Sequence, residues 1–135
     1  MATAFSLRKF SSAPRLARAR QVAEGLPASA IRELVRDTNS TIADVSRAVG
    51  PRRTIDRRLK DGSRLSPEES DRLARLLEIL DLATEIFGDR KKAMAWLEAP
   101  KHAFDGAIPL DLIRSHTGSK AVEEHLLRAK YGFFA

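Results

Sequence analysis

Residues 66–87, SPEESDRLARLLEILDLATEIF, predict a long helix, and this helix constrains the fold more than any other segment. Ser66 is suited to the N-cap and Glu69 completes a capping box, while Gly88 can end the helix. Apolar residues recur on two stripes around its axis, one made of Leu73, Leu76, Leu77, Leu80 and Phe87, the other of Ile79, Leu82, Ala83 and Ile86. Because each apolar stripe must pack against other helices, we expect the long helix to be a strut, that is, a helix shared by an N-terminal and a C-terminal bundle.

The charge of the chain is uneven along its length. The net charge of the 135 residues is +6, but residues 1–64 carry +8 and residues 65–135 carry −2. A basic N-terminal half suggests contact with nucleic acid, although it can also serve solubility alone. Cysteine is absent, which excludes disulfides and thiolate zinc sites, and no apolar run reaches the roughly 18 residues of a membrane span. We therefore expect a soluble, cytoplasmic protein without membrane contact.

Residues 1–25 predict a basic, flexible N-terminal arm. The first 20 residues hold five Lys or Arg and no acid, and they show no clear helical stripe. Such an arm could follow a phosphate backbone or could be a disordered terminus. Its Arg-rich, Ser-rich composition also occurs in organellar transit peptides.

Residues 26–65 predict two short helices, a tight turn and a basic helix, in that order. Pro27 can open the first helix, and Thr41 can cap the second, which Gly50 ends. This order is typical of a helix-turn-helix, although the turn is about a residue shorter than usual. The candidate DNA contacts are Arg52, Arg53, Thr54, Arg57 and Arg58. Their forked donors and hydroxyl suit phosphates and base edges, but a solvated charged face would have the same pattern.

Residues 66–135 predict further short helices after the long one. Asp89 can cap a helix that reaches Glu98 and contains Trp96 as a core anchor, and Pro109 can open another. After a polar break at residues 115–119, a last helix is expected over residues 120–131. The chain ends in Tyr131, Gly132, Phe133, Phe134 and Ala135. Apolar side chains at a free end either fold back on the core or insert into a partner.

Catalysis has little support in the residues. The three histidines, His102, His116 and His125, lack metal-ligand spacing, and no nucleophile elbow or phosphate loop is present. We expect no enzyme activity, no catalytic residue, no metal, no cofactor and no small-molecule substrate.

Taken in order, four segments resemble the Xre/MbcA/ParS-type antitoxins of type II toxin-antitoxin systems. They are TIDRRLKDGSRLSPEESDRLARL, EIFGDRKKAMAWL, the loop that leads to IPLDL, and Gly118 followed by VEEHLLRAKYGFFA. The resemblance runs from about Ile31 to the C-terminus. It implies an all-α fold, in which an Xre-like helix-turn-helix region is joined by the long helix to a small helical toxin-binding domain.

The resemblance also implies partners and sites. The partner would be a RES-domain toxin that depletes NAD, covered at its substrate cleft, and the chain would repress its own operon as a homodimer on operator DNA. It assigns operator contact to Arg52, Arg53, Thr54, Arg57 and Arg58, and toxin contact to Tyr131, Gly132, Phe133 and Phe134. The short turn leaves an alternative open: an interaction module with a degenerate helix-turn-helix that inhibits the toxin without specific DNA binding.

Overall fold

The computed structural model describes residues 5–132, which form an all-helical fold. The α-helices in this range are α1 (Leu7–Ser12), α2 (Arg15–Glu24), α3 (Ser29–Thr38), α4 (Ile42–Val49), α5 (Arg52–Asp61), α6 (Pro67–Phe87), α7 (Arg90–Glu98), α8 (Pro109–Ile113) and α9 (His116–Lys130). A 3₁₀ turn, His102–Phe104, lies between α7 and α8. The all-α fold class is confirmed.

Helix α6 has the predicted bounds and caps. The Glu69 N–H donates to the Ser66 hydroxyl at 3.1 Å, and the Ser66 N–H donates to the Glu69 carboxylate at 2.8 Å. Gly88 ends the helix in the left-handed conformation, with φ of 79°. Both predicted stripes pack inward, and α6 contacts helices from both halves of the chain. Its buried apolar residues are Leu73, Leu76, Leu77, Ile79, Leu80 and Ala83.

The capping box gives a first testable prediction. Replacing Ser66 with alanine removes the acceptor of the Glu69 N–H and is expected to lower the free energy of unfolding by about 1 kcal/mol. Urea denaturation measures this loss. Ser29→Ala is the matched control, because Ser29 is exposed at the start of α3, where no side chain caps the helix. Equal losses in the two variants would contradict a capping role for Ser66.

Residues 5–25 differ from the flexible arm that the sequence predicts for residues 1–25. They form α1 and α2, and the side chains of Leu7 and Phe10 are only 2% and 3% exposed. The Leu7 N–H donates to Glu33 in α3 at 3.1 Å, and α2 packs on α6, where Arg18 pairs with Glu78 at 3.2 Å. Two apolar residues three positions apart are too few to give a recognisable helical stripe, yet they bury α1 against α3.

The two halves of the chain also meet without α6 between them. Helix α4 packs directly on α8, where Arg47 pairs with Asp111 at 3.1 Å. The Ser40 hydroxyl, just before α4, donates to Glu98 at the end of α7 at 2.6 Å. One apolar cluster runs through both halves. The expectation of a strut between two bundles is therefore incomplete, since the bundles share a core.

Two side chains of α6 hold the ends of the helices on either side of it. Arg72 donates to the Val49 carbonyl at the end of α4 at 3.1 Å. Arg75 donates to the Ile113 carbonyl at the end of α8 at 3.2 Å. Cations at helix C-termini satisfy the last carbonyls and complement the helix dipole. Helix α6 thus fixes both neighbours through hydrogen bonds as well as apolar contact.

The last helix begins four residues earlier than the sequence predicts. The polar residues 115–119, expected as a break, are the N-cap and first turn of α9. The Gly118 N–H donates to the Ser115 hydroxyl at 3.0 Å, and the Ser119 hydroxyl donates to the His116 carbonyl at 2.7 Å. Serines at a helix start favour capping over a loop, which explains the difference. Across the described range, no helix combines the length and apolar character that a membrane span requires.

Candidate functional site

Helices α4 and α5 have the arrangement of a helix-turn-helix. Two residues, Gly50 and Pro51, separate them, which confirms the short turn. Ile55 and Leu59 anchor α5 in the core, with exposed fractions of 0% and 9%. Because these two residues lie one turn apart, the opposite side of α5 faces solvent. That side is where a nucleic acid could approach.

The structure separates the five predicted DNA-contacting residues into two groups. Arg52, Arg53 and Arg57 are exposed, whereas Thr54 and Arg58 are half-buried. Arg52 pairs with Asp56 on the same helix at 3.0 Å. Among residues 5–132, Arg53 and Arg57 form no ion pair with a carboxylate. These two arginines are therefore the best placed to bind an external anion.

Arg58 is directed towards α6. Its Nε lies 2.6 Å from Oε1 of Glu69, the capping-box residue, whose side chain is 9% exposed. Its Nη1 donates to the Arg64 carbonyl at 3.4 Å. Arg58 thus joins the basic helix to the start of α6. The sequence holds a signal for this, because Arg58 lies at i+3 from buried Ile55 and so borders the inward stripe.

Lys60 belongs to the basic surface of α5, although the sequence did not single it out as a DNA contact. Lys60 is exposed near the end of the helix, beyond Arg57. Together, Arg52, Arg53, Arg57 and Lys60 form a surface that we call the α5 basic face. Asp56 lies within it and offsets part of the charge through Arg52.

The predicted toxin-contacting residues lie at the C-terminal end of α9. Tyr131 is 62% exposed, and Gly132 is exposed with φ of 72°, whereas Phe133 and Phe134 lie outside the described residues. Lys130 holds this end in place, because its Nζ donates to Glu85 of α6 at 2.7 Å. The same hydrogen bond to Glu85 raises the pKa of Lys130. The chain therefore leaves α9 from a point tied to α6.

Four rings, which we call the aromatic cluster, join the helices of the C-terminal half. Trp96 of α7 stacks on His125 of α9 at a centroid distance of 5.8 Å, and it lies 5.8 Å from Phe87. Phe104 meets His125 edge-on at 5.1 Å, and the Lys101 Nζ lies 4.8 Å from the Trp96 ring centroid. Trp96 is half-buried, so it anchors this cluster at the edge of the core instead of its centre.

The surroundings of His125 disfavour its protonated form. Burial lowers its pKa, and the positive charges of Arg128 and Lys101 lower it further. Burial also lowers the pKa of Lys101. The ring stacked on Trp96 is therefore favoured in its neutral form.

This depressed pKa predicts a pH-dependent stability. The unfolded chain binds a proton at the ordinary histidine pKa of about 6.5, above the pKa of the folded state, so stability falls as the pH drops through that window. His125→Phe keeps an aromatic ring but cannot titrate. We expect urea denaturation at pH 7.5 and pH 5 to show a smaller loss in this variant than in the parent chain.

His116→Gln is the matched control for the histidine prediction, because His116 is exposed. This variant is expected to keep the pH dependence of the parent chain. If the stability of His125→Phe depended on pH as strongly as that of the parent chain, burial of a neutral His125 would not be the cause of that dependence.

Within residues 5–132, no group of three or more His, Asp or Glu side chains is placed to hold a metal ion. The three histidines occupy different positions: His102 in the 3₁₀ turn, His116 at the start of α9 and His125 in the aromatic cluster.

Comparison with known families matches both halves of the chain. Residues 17–78 match the antitoxin Xre-like helix-turn-helix domain. Residues 82–132 match the antitoxin Xre/MbcA/ParS C-terminal toxin-binding domain. The two matches follow each other, and the first ends and the second begins within α6.

Curated relatives carry the name Antitoxin Xre. A protein of Yersinia enterocolitica is 35% identical over 95 residues, which are 69% of this chain and 64% of that protein. One of Pseudomonas putida is 37% identical over 83 residues, covering 62% of this chain and 52% of the relative. One of Photorhabdus laumondii is 27% identical over 111 residues, covering 81% and 75%.

The chain thus spans between about half and two thirds of the length of the first two relatives. Its helix-turn-helix match contains α5, and its C-terminal match contains the aromatic cluster and Tyr131. The chain therefore carries, in order on one helical core, the two domains found by these matches: an antitoxin Xre-like helix-turn-helix domain and an Xre/MbcA/ParS C-terminal toxin-binding domain.

Proposed function

We propose that the chain is a type II antitoxin that neutralises a RES-domain, NAD-depleting toxin and binds its own promoter DNA. The observation that carries this proposal is the succession of a helix-turn-helix domain and a toxin-binding domain in one chain. Residues 26–65 would serve DNA binding, and residues 66–135 would serve toxin binding. Both activities would take place in the cytoplasm.

The α5 basic face supports the DNA-binding half of the proposal. Arg53 and Arg57 offer forked donors to guanine edges or phosphates, and Arg52 and Lys60 add phosphate contacts at the two ends of the helix. Thr54 lies in the first turn of α5, next to Arg53 in the chain. For Arg58 we propose a positioning role instead, because its ion pair with Glu69 holds α5 against α6.

The C-terminal end of α9 supports the toxin-binding half. We propose that Tyr131, Gly132, Phe133 and Phe134 insert into the toxin and cover its substrate cleft. Two observations support this proposal: Tyr131 is exposed at the end of α9, and the hydrogen bond from Lys130 to Glu85 ties that end to α6. Steric exclusion of NAD needs no catalytic group, cofactor or small-molecule substrate in the antitoxin.

The experiment that tests the proposal co-expresses the chain with a RES-domain toxin encoded beside its gene. We expect the toxin alone to stop growth and lower cellular NAD, and the chain to restore both and to co-purify with the toxin. Unrestored growth despite soluble chain, or the absence of such a toxin gene, would overturn the toxin assignment.

A second candidate function follows from the geometry of the helix-turn-helix. The two-residue turn and the pairing of Arg52 and Arg58 within the chain favour a module that inhibits the toxin without reading DNA. A gel shift at two salt concentrations separates the candidates. A protein that recognises its operator binds the DNA upstream of its gene in preference to unrelated DNA. A protein with a degenerate helix-turn-helix shows salt-sensitive binding without sequence preference, or no binding.

We propose a homodimer as the DNA-binding form. Helix-turn-helix proteins read two half-sites with two copies of the recognition helix. Light scattering would then give twice the 15.0 kDa mass of one chain.

A further inference from the structure

A groove opens next to Arg64, in the segment between α5 and α6. Helices α1 and α2 form one wall, and the segment between α5 and α6 forms the other. The groove has a volume of about 470 Å³ and includes the side chains of Lys9, Glu24 and Arg64 in its lining. Two of these side chains are cationic and one is anionic, so the groove has a net positive charge.

The wall that carries Arg64 is firmly built. The Arg64 Nη1 donates to the Gly25 carbonyl at 2.7 Å, and the Leu65 N–H donates to the Leu26 carbonyl at 2.8 Å. Gly25 has φ of 97°, and a Cβ there would lie 2.5 Å from the Leu65 carbonyl oxygen. Only glycine allows this close approach of the two walls. The position of Arg64 is therefore fixed relative to α2.

One cation of the groove, Arg64, lies close to the end of α5 in the chain. Arg64 follows the end of α5 by three residues, and its carbonyl accepts the hydrogen bond from Arg58 on that helix. Lys60 is exposed near the end of α5, Arg64 is exposed four residues later, and Arg64 lines the groove together with Lys9. Two cations that line one groove, one of them following a recognition helix in the chain, are suited to a phosphate backbone.

Lys9 belongs to α1, which precedes the part of the chain that matches the helix-turn-helix domain from residue 17. The burial of Leu7 and Phe10 holds α1 in place, so Lys9 is presented from a packed helix. Helix α1 thus adds a cation to the helix-turn-helix domain from outside it.

We propose that Lys9 and Arg64 bind a phosphate of the DNA backbone, next to the stretch that α5 reads. The proposal rests on the proposed DNA binding of the chain. The Lys9 ammonium supplies a point charge, and Arg64 supplies the N–H groups that Gly25 does not use. Such a contact adds affinity without sequence information, because every nucleotide carries the same phosphate.

The test compares Lys9→Gln with Arg8→Gln. Both variants lose one positive charge from an exposed position of α1, but Arg8 faces a different cavity, lined also by Asp37, Asp81 and Arg90. Affinity is measured for the upstream DNA of the gene and for an unrelated duplex, over a series of KCl concentrations.

A plot of log affinity against log salt has a negative slope. For Lys9→Gln we expect this slope to become less steep by about 0.9, the contribution of one phosphate contact. Affinity at low salt should fall about fivefold for both DNAs, as expected for a contact without base specificity. Arg8→Gln should keep the parent slope. Equal slopes in the two variants, or a loss confined to the upstream DNA, would overturn the groove assignment.

The outcomes also distinguish this inference from the proposed function. If Arg53→Ala with Arg57→Ala loses DNA binding while Lys9→Gln behaves like Arg8→Gln, only the groove assignment fails. If the parent chain binds neither DNA, the proposed DNA binding fails, and the groove assignment fails with it.

Discussion

Replacing Arg53 and Arg57 together with alanine is expected to lower the affinity for upstream DNA at least about 30-fold. Each arginine contributes about 1–3 kcal/mol if it contacts a base edge, and 1.4 kcal/mol corresponds to a factor of ten. Both side chains are exposed on α5, opposite its buried residues. Fluorescence anisotropy with labelled DNA measures the loss. Toxin neutralisation should remain, because neither residue lies in the matched toxin-binding domain.

The matched control for this double variant is Lys91→Ala with Lys92→Ala. It removes the same net charge from two exposed positions of α7. Its DNA affinity should stay within about threefold of the parent chain, since distant exposed charges are screened beyond a Debye length of about 8–10 Å. Equal affinity for DNA in the Arg53 and Arg57 variant and the parent would remove α5 as the DNA-reading helix.

Replacing Phe133 and Phe134 together with alanine is expected to weaken toxin binding at least about 30-fold. Aromatic side chains that fill pockets in a partner each contribute on the order of 2 kcal/mol or more. The described core, from Leu7 to Leu126, is formed without these two residues. Calorimetric titration with purified toxin measures the affinity, and the free energy of unfolding should change by less than about 0.5 kcal/mol.

Leu16→Ala is the control for the tail variant. Leu16 is a large apolar residue that is 64% exposed on α2, outside the matched toxin-binding domain. It reports the effect of removing exposed apolar surface in general, and toxin affinity should be unchanged. If cells that produce the toxin grew equally well with the tail variant and with the parent chain, insertion of the tail would be wrong.

The sequence predicts those parts of the fold that depend on local chemistry. The bounds of α6 follow from Ser66, Pro67, Glu69 and Gly88, whose capping and stop signals act within one turn. The start of α4 at Thr41 and of α7 at Asp89 follow in the same way. Caps are readable because the residue that forms the cap is adjacent to the backbone groups it satisfies.

Contacts between distant residues could not be predicted. His125 stacks on Trp96 across 29 positions of the chain, and Arg64 reaches Gly25 across 39. The residues next to His125 or Arg64 in the sequence give no indication of these partners. Helix α1 was missed for the same reason, because its stability comes from burial of Leu7 and Phe10 and not from its own helical pattern.

In the candidate DNA site, too, local features are predictable from the sequence and long-range contacts are not. A run of arginines identifies a basic helix, but Arg57 and Arg58 are neighbours in sequence and differ in role because 100° of rotation separates them on a helix. Arg57 faces solvent, and Arg58 meets Glu69 of α6. The sequence shows that α5 is basic. It does not show which arginine faces solvent and which faces α6, because that depends on where α6 packs.

The direct packing of α4 on α8 limits how this chain can be re-engineered. A chimera that joined its helix-turn-helix half to the C-terminal half of a relative would bring together two surfaces that are not complementary to each other. It would have to preserve the pairs Arg47 with Asp111 and Ser40 with Glu98, together with the apolar contact beneath them. A stable hybrid therefore needs the facing side of α4 together with the grafted C-terminal half, so the grafted unit is larger than the matched toxin-binding domain alone.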